Sequence, residues 1–500
     1  MVTFVLLVCA LFMLYRYLKQ CHSVFEKLGI PGPRPSLLFG NVAEFKSKFP
    51  LDVFKDWSRQ YGKVFGFYEG LHPSIVISDP WLTQQILVRR FACFSERPPC
   101  TPFLNTLDEM SILNANGQLW KRQRMVVAKA FTAKSVKEIV PGVTRTSRKL
   151  LQRLEAGVQD GVESLDIADL TERYTLDAFA NAAFDYNCDS LNNDQELLYR
   201  FMLAFNKSGA AENPLAGFAR LFPSLTSFLQ LFDTEHRQLH ALHLKNMEKL
   251  IEKEKQKMED CPEDKSTNLL RRLIEGYSIS IDEDNNEVKR HLSDEEVLSQ
   301  STSLVGGGLG PTNSILSFAL YLLATNPDAQ SKLVEEIDER LSQNESIDYE
   351  TLSKMEYLDM VIEETSRVFP VIPGVARTCN EDCEIDGIPF RKGMKVRVMA
   401  VSMYTDETLF PEPDRFIPER FSKENKEKRP YYSYLPFGHG PRMCVGFKFG
   451  LLLIKVALVQ ILRHYILTSS SKTQVPLQTA LRPFLTPRGP VHIGLVRRNT

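Results

Sequence analysis

The sequence predicts a mainly α protein with a minor β part, and three observations predict it. Apolar residues recur at helical spacing from Gln118 to Phe131, Ala133 to Leu154 and His236 to Lys257. A further stretch, Leu316 to Leu323, is apolar almost all round and reads as a buried helix. Strand-like alternation is confined to short pieces: Lys63 to Tyr68, Ser74 to Ile77, and residues 380–400. Composition agrees with a large folded chain: the 500 residues are 43% hydrophobic and 25% charged, which argues against disorder, collagen-like repeats and coiled coil. Lys+Arg number 61 against 62 Asp+Glu, a net charge of −1, so no basic excess points to nucleic acid.

Taken in order, the chain begins with an apolar run from Val2 to Tyr15, broken by Thr3 and followed by Arg16, Lys19 and Lys27. Roughly 17 helical residues through Leu18 reach about 25 Å, marginal for a bilayer but sufficient for the thin endoplasmic reticulum membrane. A cleaved signal peptide competes with this reading. It is disfavoured because no basic residue precedes the run and no small-x-small cleavage site follows it. Positive charge after the run predicts a retained anchor with the remaining chain in the cytoplasm. Gly29-Ile30-Pro31-Gly32-Pro33-Arg34-Pro35 then forms a stiff hinge that cannot continue the anchor helix. The expected layout is an anchor over residues 1–20, a hinge over 21–36 and a single domain over 37–500.

The first strand pair turns at Glu69-Gly70, and the polar run Asp282 to Glu287 reads as a solvated loop without the ligand spacing of a calcium site. Ser293-Asp294-Glu295-Glu296 has the form of a capping box and starts a long helix through Leu323. Another helix follows Asn326-Pro327-Asp328, and residues 446–464 form a last apolar one. The nine cysteines are scattered and odd in number, which fits reduced thiols rather than a disulfide framework. Cys379 and Cys383 are four apart but lack nearby His partners for zinc.

One cysteine stands apart. Phe437-Gly438-His439-Gly440-Pro441-Arg442-Met443-Cys444-Val445-Gly446 is a glycine-shaped loop presenting a thiol at a helix amino terminus. Amide donors and the helix dipole there favour the thiolate, and small residues let a flat ligand approach the backbone. A nucleophilic cysteine would need a base; His439 is the only local candidate and is equally a loop filler.

This decapeptide resembles the haem-binding loop of the cytochromes P-450, Phe-x-x-Gly-x-Arg-x-Cys-x-Gly, a family in which haem is held by a cysteine thiolate. Glu364-x-x-Arg367, the Pro418-x-Arg420-Phe421 segment and Trp120-x-x-x-Arg124 also fit the family, as does an anchor followed by a proline hinge. Lys27 to Pro33, Gly62 to Tyr68, Met355 to Met360 and Pro418 to Asn425 are most similar to the drug- and steroid-oxidising family 3 type. The resemblance covers essentially the whole chain. It implies the cytochrome P-450 fold, a helix-rich haem domain with small sheets, and a monooxygenase acting on a lipophilic lipid, steroid or xenobiotic. It implies haem b, with NADPH electrons delivered by the flavoprotein NADPH-cytochrome P-450 reductase and cytochrome b5 as a possible second donor. By the same resemblance Cys444 is the axial metal ligand, and Trp120, Arg124, Arg377 and Arg442 hold the haem propionates. Phe437 and Gly446 are fixed positions of the loop. Glu364, Arg367 and Arg420 form a supporting ion-pair network. Lys121, Arg122, Lys129, Lys134 and Lys448 form a proximal face that steers an acidic partner, although such charge runs are as often plain solvated surface.

The family's acid–alcohol pair above the haem is missing: Gly310 stands where the acid belongs and Pro311 where the alcohol belongs. Neither side chain can relay a proton during oxygen activation. Pro311 should also disturb the helix at the Gly307 carbonyl. Three outcomes follow: Thr312 or Asn313 organises water in place of the pair, the enzyme rearranges an existing peroxide without a reductase, or the protein binds haem and a lipid or gas without turnover. The pocket is expected along residues 98–116, 200–230, 304–312, 369–376 and 478–486, with Phe103, Phe205, Phe218, Phe222, Phe369 and Phe484. Phe218 to Phe232 would dip into the bilayer. Asn206-Lys207-Ser208 and Asn344-Glu345-Ser346 are glycosylation sequons that a cytoplasmic domain leaves unused.

Overall fold

A computed structural model describes residues 1–99, 102–159, 163–196, 198–200, 214–263, 268–281, 287–341, 345–482 and 484–498. Among these, helix α1 spans Val2–Cys21 and its side chains are exposed except for buried Leu18 and partly buried Cys21. Its 20 residues reach about 30 Å, more than the sequence alone implied, because the helix runs past the first lysine. It is the one helix among the described residues long and apolar enough to cross a membrane. A short helix α2, Val24–Leu28, follows and ends at Gly29, whose φ of 67° only glycine adopts cheaply.

The segment after α1 is held against a hairpin. Strands β1 (Val64–Glu69) and β2 (His72–Ile77) form the expected hairpin, with Gly66 opposite Ile75. Phe25 packs on Gly66 so closely that a Cβ there would lie 2.4 Å from the ring. The Tyr68 hydroxyl donates to the His22 carbonyl at 2.8 Å, and the Gly66 amide donates to Pro31 O at 2.8 Å. The end of α1, the proline-rich segment and the hairpin are thus tied together by these contacts.

Helices α3 (Gly117–Ala130), α4 (Ile167–Phe184), α5 (Pro214–Leu221), α6 (Thr234–Asp260), α7 (Asp294–Thr325) and α8 (Glu356–Val368) build the body. The periodicity read as one helix over 133–154 divides into Ala133–Glu138 and Val140–Gln159, because Pro141 has no amide to continue the first. A short hairpin, Tyr277–Ile281 with Glu287–His291, flanks the polar run at 282–286, which lies outside the described residues. The sequence reading did not single out those strands: the first alternates over only five residues and the second is mostly charged.

The α7 capping box is formed: Ser293 Oγ accepts the Glu296 amide at 3.2 Å, and Glu296 Oε2 accepts the Ser293 amide at 3.0 Å. Leu316, Phe318 and Leu323 are fully buried, and burying each such side chain stabilises the fold by about 2 kcal/mol. Phe318 stacks on Phe369 with centroids 4.3 Å apart, so Phe369, expected in the pocket, packs in the core. Helix α7 packs against α4, α8 and α9 (Phe447–Leu462), the last being the apolar helix after the cysteine loop. Strands β3 (Val375–Thr378) and β4 (Lys395–Val398) complete a sheet of order β1-β2-β4-β3. β4 runs parallel to β2 and antiparallel to β3, setting Arg377 opposite Val396. The result is the expected helix-rich α+β architecture with small separate sheets.

Candidate active site

The loop before α9 is shaped by its glycines. Gly438 and Gly440 have φ of 69° and 75°, and a Cβ on Gly440 would lie 2.0 Å from the Leu87 carbonyl oxygen. The chain folds back so that the Cys444 amide donates to Phe437 O at 2.9 Å and the Met443 amide to Gly440 O at 3.0 Å. The Phe437 ring lies 5.9 Å from Phe447, and a Cβ on Gly446 would be tight against Phe131 at 3.3 Å. His439 is filler: its Nε2 pairs with Tyr434 O at 3.1 Å, its ring sits between Tyr431 and Tyr432, and burial holds it below the usual histidine range.

Cys444 is accessible, and surrounding protein still desolvates its thiol. Burial pushes its thiol up, opposed by the Gly446 amide and by the charges of Arg124 and Arg97. A cation bound at the sulfur would add to the amide and the arginine charges in favour of the thiolate.

Arginines from four separate segments converge beside this loop. Arg442 donates to Ser95 O at 2.7 Å, Ala115 O at 2.9 Å and Asn116 Oδ1 at 2.7 Å, and its guanidinium lies 4.2 Å from the Trp120 ring centroid. Arg124 donates to Met443 O at 2.7 Å. Arg97, which sequence reasoning missed, reaches Arg442 O at 3.5 Å and Leu113 O at 3.4 Å. Arg377, on β3, is 1% exposed; its Nη1 donates to Ala376 O at 2.8 Å and its Nε has no partner among the described residues. Burial, then repulsion from Arg97 and Arg442, pushes its guanidinium down to about 9. A buried cation so placed calls for an anion. A flat group carrying carboxylates and a thiolate-bound cation meets both demands, so the residues present fit haem.

Behind the loop, Glu364 and Arg367 on α8 are buried and bidentate, at 2.7 and 2.8 Å. Arg367 also donates to the carbonyls of Tyr404, Pro413 and Arg415, and Arg420 Nε reaches Glu364 Oε1 at 3.2 Å. The network predicted from sequence is formed, with every polar group of Arg367 engaged.

On α7 the helix continues through Pro311, so the expected disturbance does not break it. Thr312 Oγ1 donates to Gly308 O at 2.6 Å, and that oxygen would lie 3.3 Å from a Cβ on Gly450 of α9. Asn313 Oδ1 accepts from Thr171 at 2.7 Å and from Ser317 at 3.3 Å, where α7 meets α4. Both side chains sequence reading nominated for oxygen handling are thus engaged in helix packing.

The basic face is only partly free. Arg122 is paired with Glu296, and Lys129 donates to Tyr277 O at 2.9 Å. Lys121 and Lys134 are exposed, and Lys448 is half-buried over Phe447. Phe103 clusters with Ala216 and Ala219, Phe222 meets Phe39 at 6.4 Å, Phe218 is exposed, and Phe484 packs on the main core. Phe205, the sequon at Asn206 and Asn344 of the second sequon lie outside the described residues.

Residues 30–495 match the family profile described as cytochrome P450. The chain is 33% identical over 510 residues to cytochrome P450 3A9 of Rattus norvegicus, covering 100% of this chain and 97% of the relative. It is 34% identical over 504 residues to cytochrome P450 3A16 of Mus musculus, covering 99% and 97%. It is 34% identical over 503 residues to cytochrome P450 3A6 of Oryctolagus cuniculus, with the same coverage of 99% and 97%. The loop, the buried arginines and these full-length likenesses agree: the chain belongs to the cytochrome P450 family of haem-thiolate monooxygenases.

Proposed function

We propose that the chain oxidises a lipophilic small molecule, using haem b held by Cys444 and electrons passed from NADPH by NADPH-cytochrome P-450 reductase, with cytochrome b5 as a second donor. One observation carries the reading: an accessible thiol on a glycine-shaped loop, together with a buried Arg377 whose Nε has no partner among the described residues. Trp120, Arg124, Arg377 and Arg442, joined by Arg97, would hold the propionates. Phe437 and Gly446 would keep the loop closed under the ring. Bound haem would supply the oxygen and electron chemistry. The arginines would neutralise and orient the ring's carboxylates, and the Gly446 amide would stabilise the sulfur charge.

The layout that goes with this is an anchor over 1–20, a joint over 21–36 and one catalytic domain over 37–500, on the cytoplasmic side of the endoplasmic reticulum membrane. Leu37, Leu38, Phe39, Phe218, Phe228, Leu231 and Phe232 are exposed, and Phe39 meets Phe222 beside the joint, an apolar face suited to the bilayer surface. Lys121, Lys134 and Lys448 would steer the reductase.

A second reading has a specific observation behind it. Gly310 and Pro311 cannot move a proton, Thr312 spends its hydroxyl proton on Gly308 O, and Asn313 is held by Thr171 and Ser317. Such a site suits rearrangement of a substrate peroxide, which needs neither reductase nor proton relay; haem binding without turnover is the remaining possibility. The experiment combines purified protein, reductase and NADPH with a panel of lipophilic substrates, and in parallel offers a lipid hydroperoxide alone. Reductase-dependent product supports the monooxygenase. Conversion of the hydroperoxide without reductase, with NADPH consumed but no product formed, overturns it in favour of the isomerase.

A further inference from the structure

Pro311 sits inside α7 and the helix runs through it. Proline has no amide hydrogen, so the Gly307 carbonyl, one turn earlier, lacks the donor that an uninterrupted helix would give it. No side chain among the described residues supplies the missing bond. The Thr312 hydroxyl, one residue beyond the proline, donates to Gly308 O at 2.6 Å instead.

That carbonyl is open to a ligand. From Glu296 to Thr325 every residue of α7 is buried or half-buried except Gly307, which is exposed. Having no side chain, Gly307 exposes its own backbone. A Cβ added there would meet no atom within 4 Å among the described residues, and Gly306, Gly308 and Gly310 carry no side chains to cover it. The place is close to the helix that follows the cysteine loop. A Cβ on Gly308 would lie 2.9 Å from the Phe179 ring, that ring is 5.4 Å from Phe449, and Thr312 Oγ1 is 3.3 Å from a Cβ on Gly450. Phe449 and Gly450 belong to the first turn of α9, just after Cys444.

A backbone acceptor without its helical donor calls for another donor. A water molecule would need about two to four polar partners. The nearby polar side chains are committed, Thr312 to Gly308 O and Asn313 to Thr171 and Ser317. A ligand hydroxyl, held in place by its own apolar body, needs only the one carbonyl.

We propose that the Gly307 carbonyl is a specificity-determining acceptor, which selects a lipophilic alcohol over the corresponding ketone, ether or carboxylate. This rests on the proposed function, with substrate lying between α7 and a haem at Cys444, and adds the substrate class to it. The alcohol's O–H donates to Gly307 O. A ketone, ether or carboxylate brings a second acceptor to the same place and leaves the carbonyl covered and unpaired.

The test is equilibrium dialysis of purified full-length holoprotein against two series of probes. One is dodecanol, its methyl ether and dodecanoate; the other is testosterone, its methyl ether and the ketone formed by oxidising its hydroxyl. In at least one series the alcohol should bind at least about tenfold more tightly than its partners. Pro311→Ala returns an amide to Gly307 O and should remove that preference by weakening alcohol binding alone, while thermal unfolding shifts upward. Pro311→Gly returns the same amide, so the two variants should agree in ligand preference; an effect of pocket volume would separate them and overturn the proposal. A preference kept in both variants would place the hydroxyl elsewhere and overturn it too. So would equal affinities within each series, or binding by no member of either. Carbon monoxide spectra taken in parallel separate the two readings. A thiolate-type band without alcohol preference overturns the acceptor role alone, whereas haem-loaded protein lacking that band overturns the proposed function and this inference with it.

Discussion

The cysteine loop leads into α9, which packs on the middle of α7, yet the two regions satisfy different demands. Around Cys444 every position the family pattern names is filled, and the structure surrounds the loop with paired charges and committed donors. Across Gly307 to Asn313 the acid and alcohol are absent, and the polar side chains that remain are engaged in packing. Holding a haem and delivering protons above it are therefore separable: a chain can keep the full apparatus of the first while losing the side chains of the second.

The sharpest break in the comparison is at the loop. Cys444→Ser should abolish the thiolate-type carbon monoxide spectrum and all turnover, measured on protein whose folding is checked by circular dichroism. Next in size, Glu364→Gln removes the charge paired with buried Arg367 and should cost about 3–5 kcal/mol, read by urea denaturation with loss of bound haem. At α7 the expectation reverses, because substitution there should add function. Gly310→Glu with Pro311→Thr should raise product formed per NADPH at least about tenfold, since a positioned acid contributes on the order of 10²–10⁴ to a proton transfer. An unchanged ratio would mean that ordered water already serves. Smallest of all, Thr312→Val removes one side-chain hydrogen bond and should cost about 1 kcal/mol with little change in turnover, measured by thermal unfolding and product assay.

The same contrast governs what could be read before the structure. The cysteine loop was legible because five informative positions fall within ten residues. The Glu364–Arg367 pair was legible because three residues' spacing puts both on one helix face. Arg97 was not, since a single cation in Ser95-Glu96-Arg97 gains meaning only where folding brings it to Arg377 and Arg442. Nor was the Thr171 partner of Asn313, which sits on α4, or the Glu296 that occupies Arg122. Helix α7 was visible from its capping box and apolar run. The Tyr277–His291 hairpin was not, because only Tyr277-Ser278-Ile279-Ser280-Ile281 alternates and its partner Glu287–His291 is mostly charged.

The central claim is that Cys444 presents a thiolate to a haem held by the buried arginines. The most direct measurement is the reduced carbon monoxide difference spectrum of the purified full-length protein, native and Cys444→Ser, beside haem content for Arg377→Leu. A thiolate-type band in the native protein, absent from Cys444→Ser, with haem content lowered in Arg377→Leu, is the predicted result. A spectrum without thiolate character in native protein that has bound its haem would contradict it.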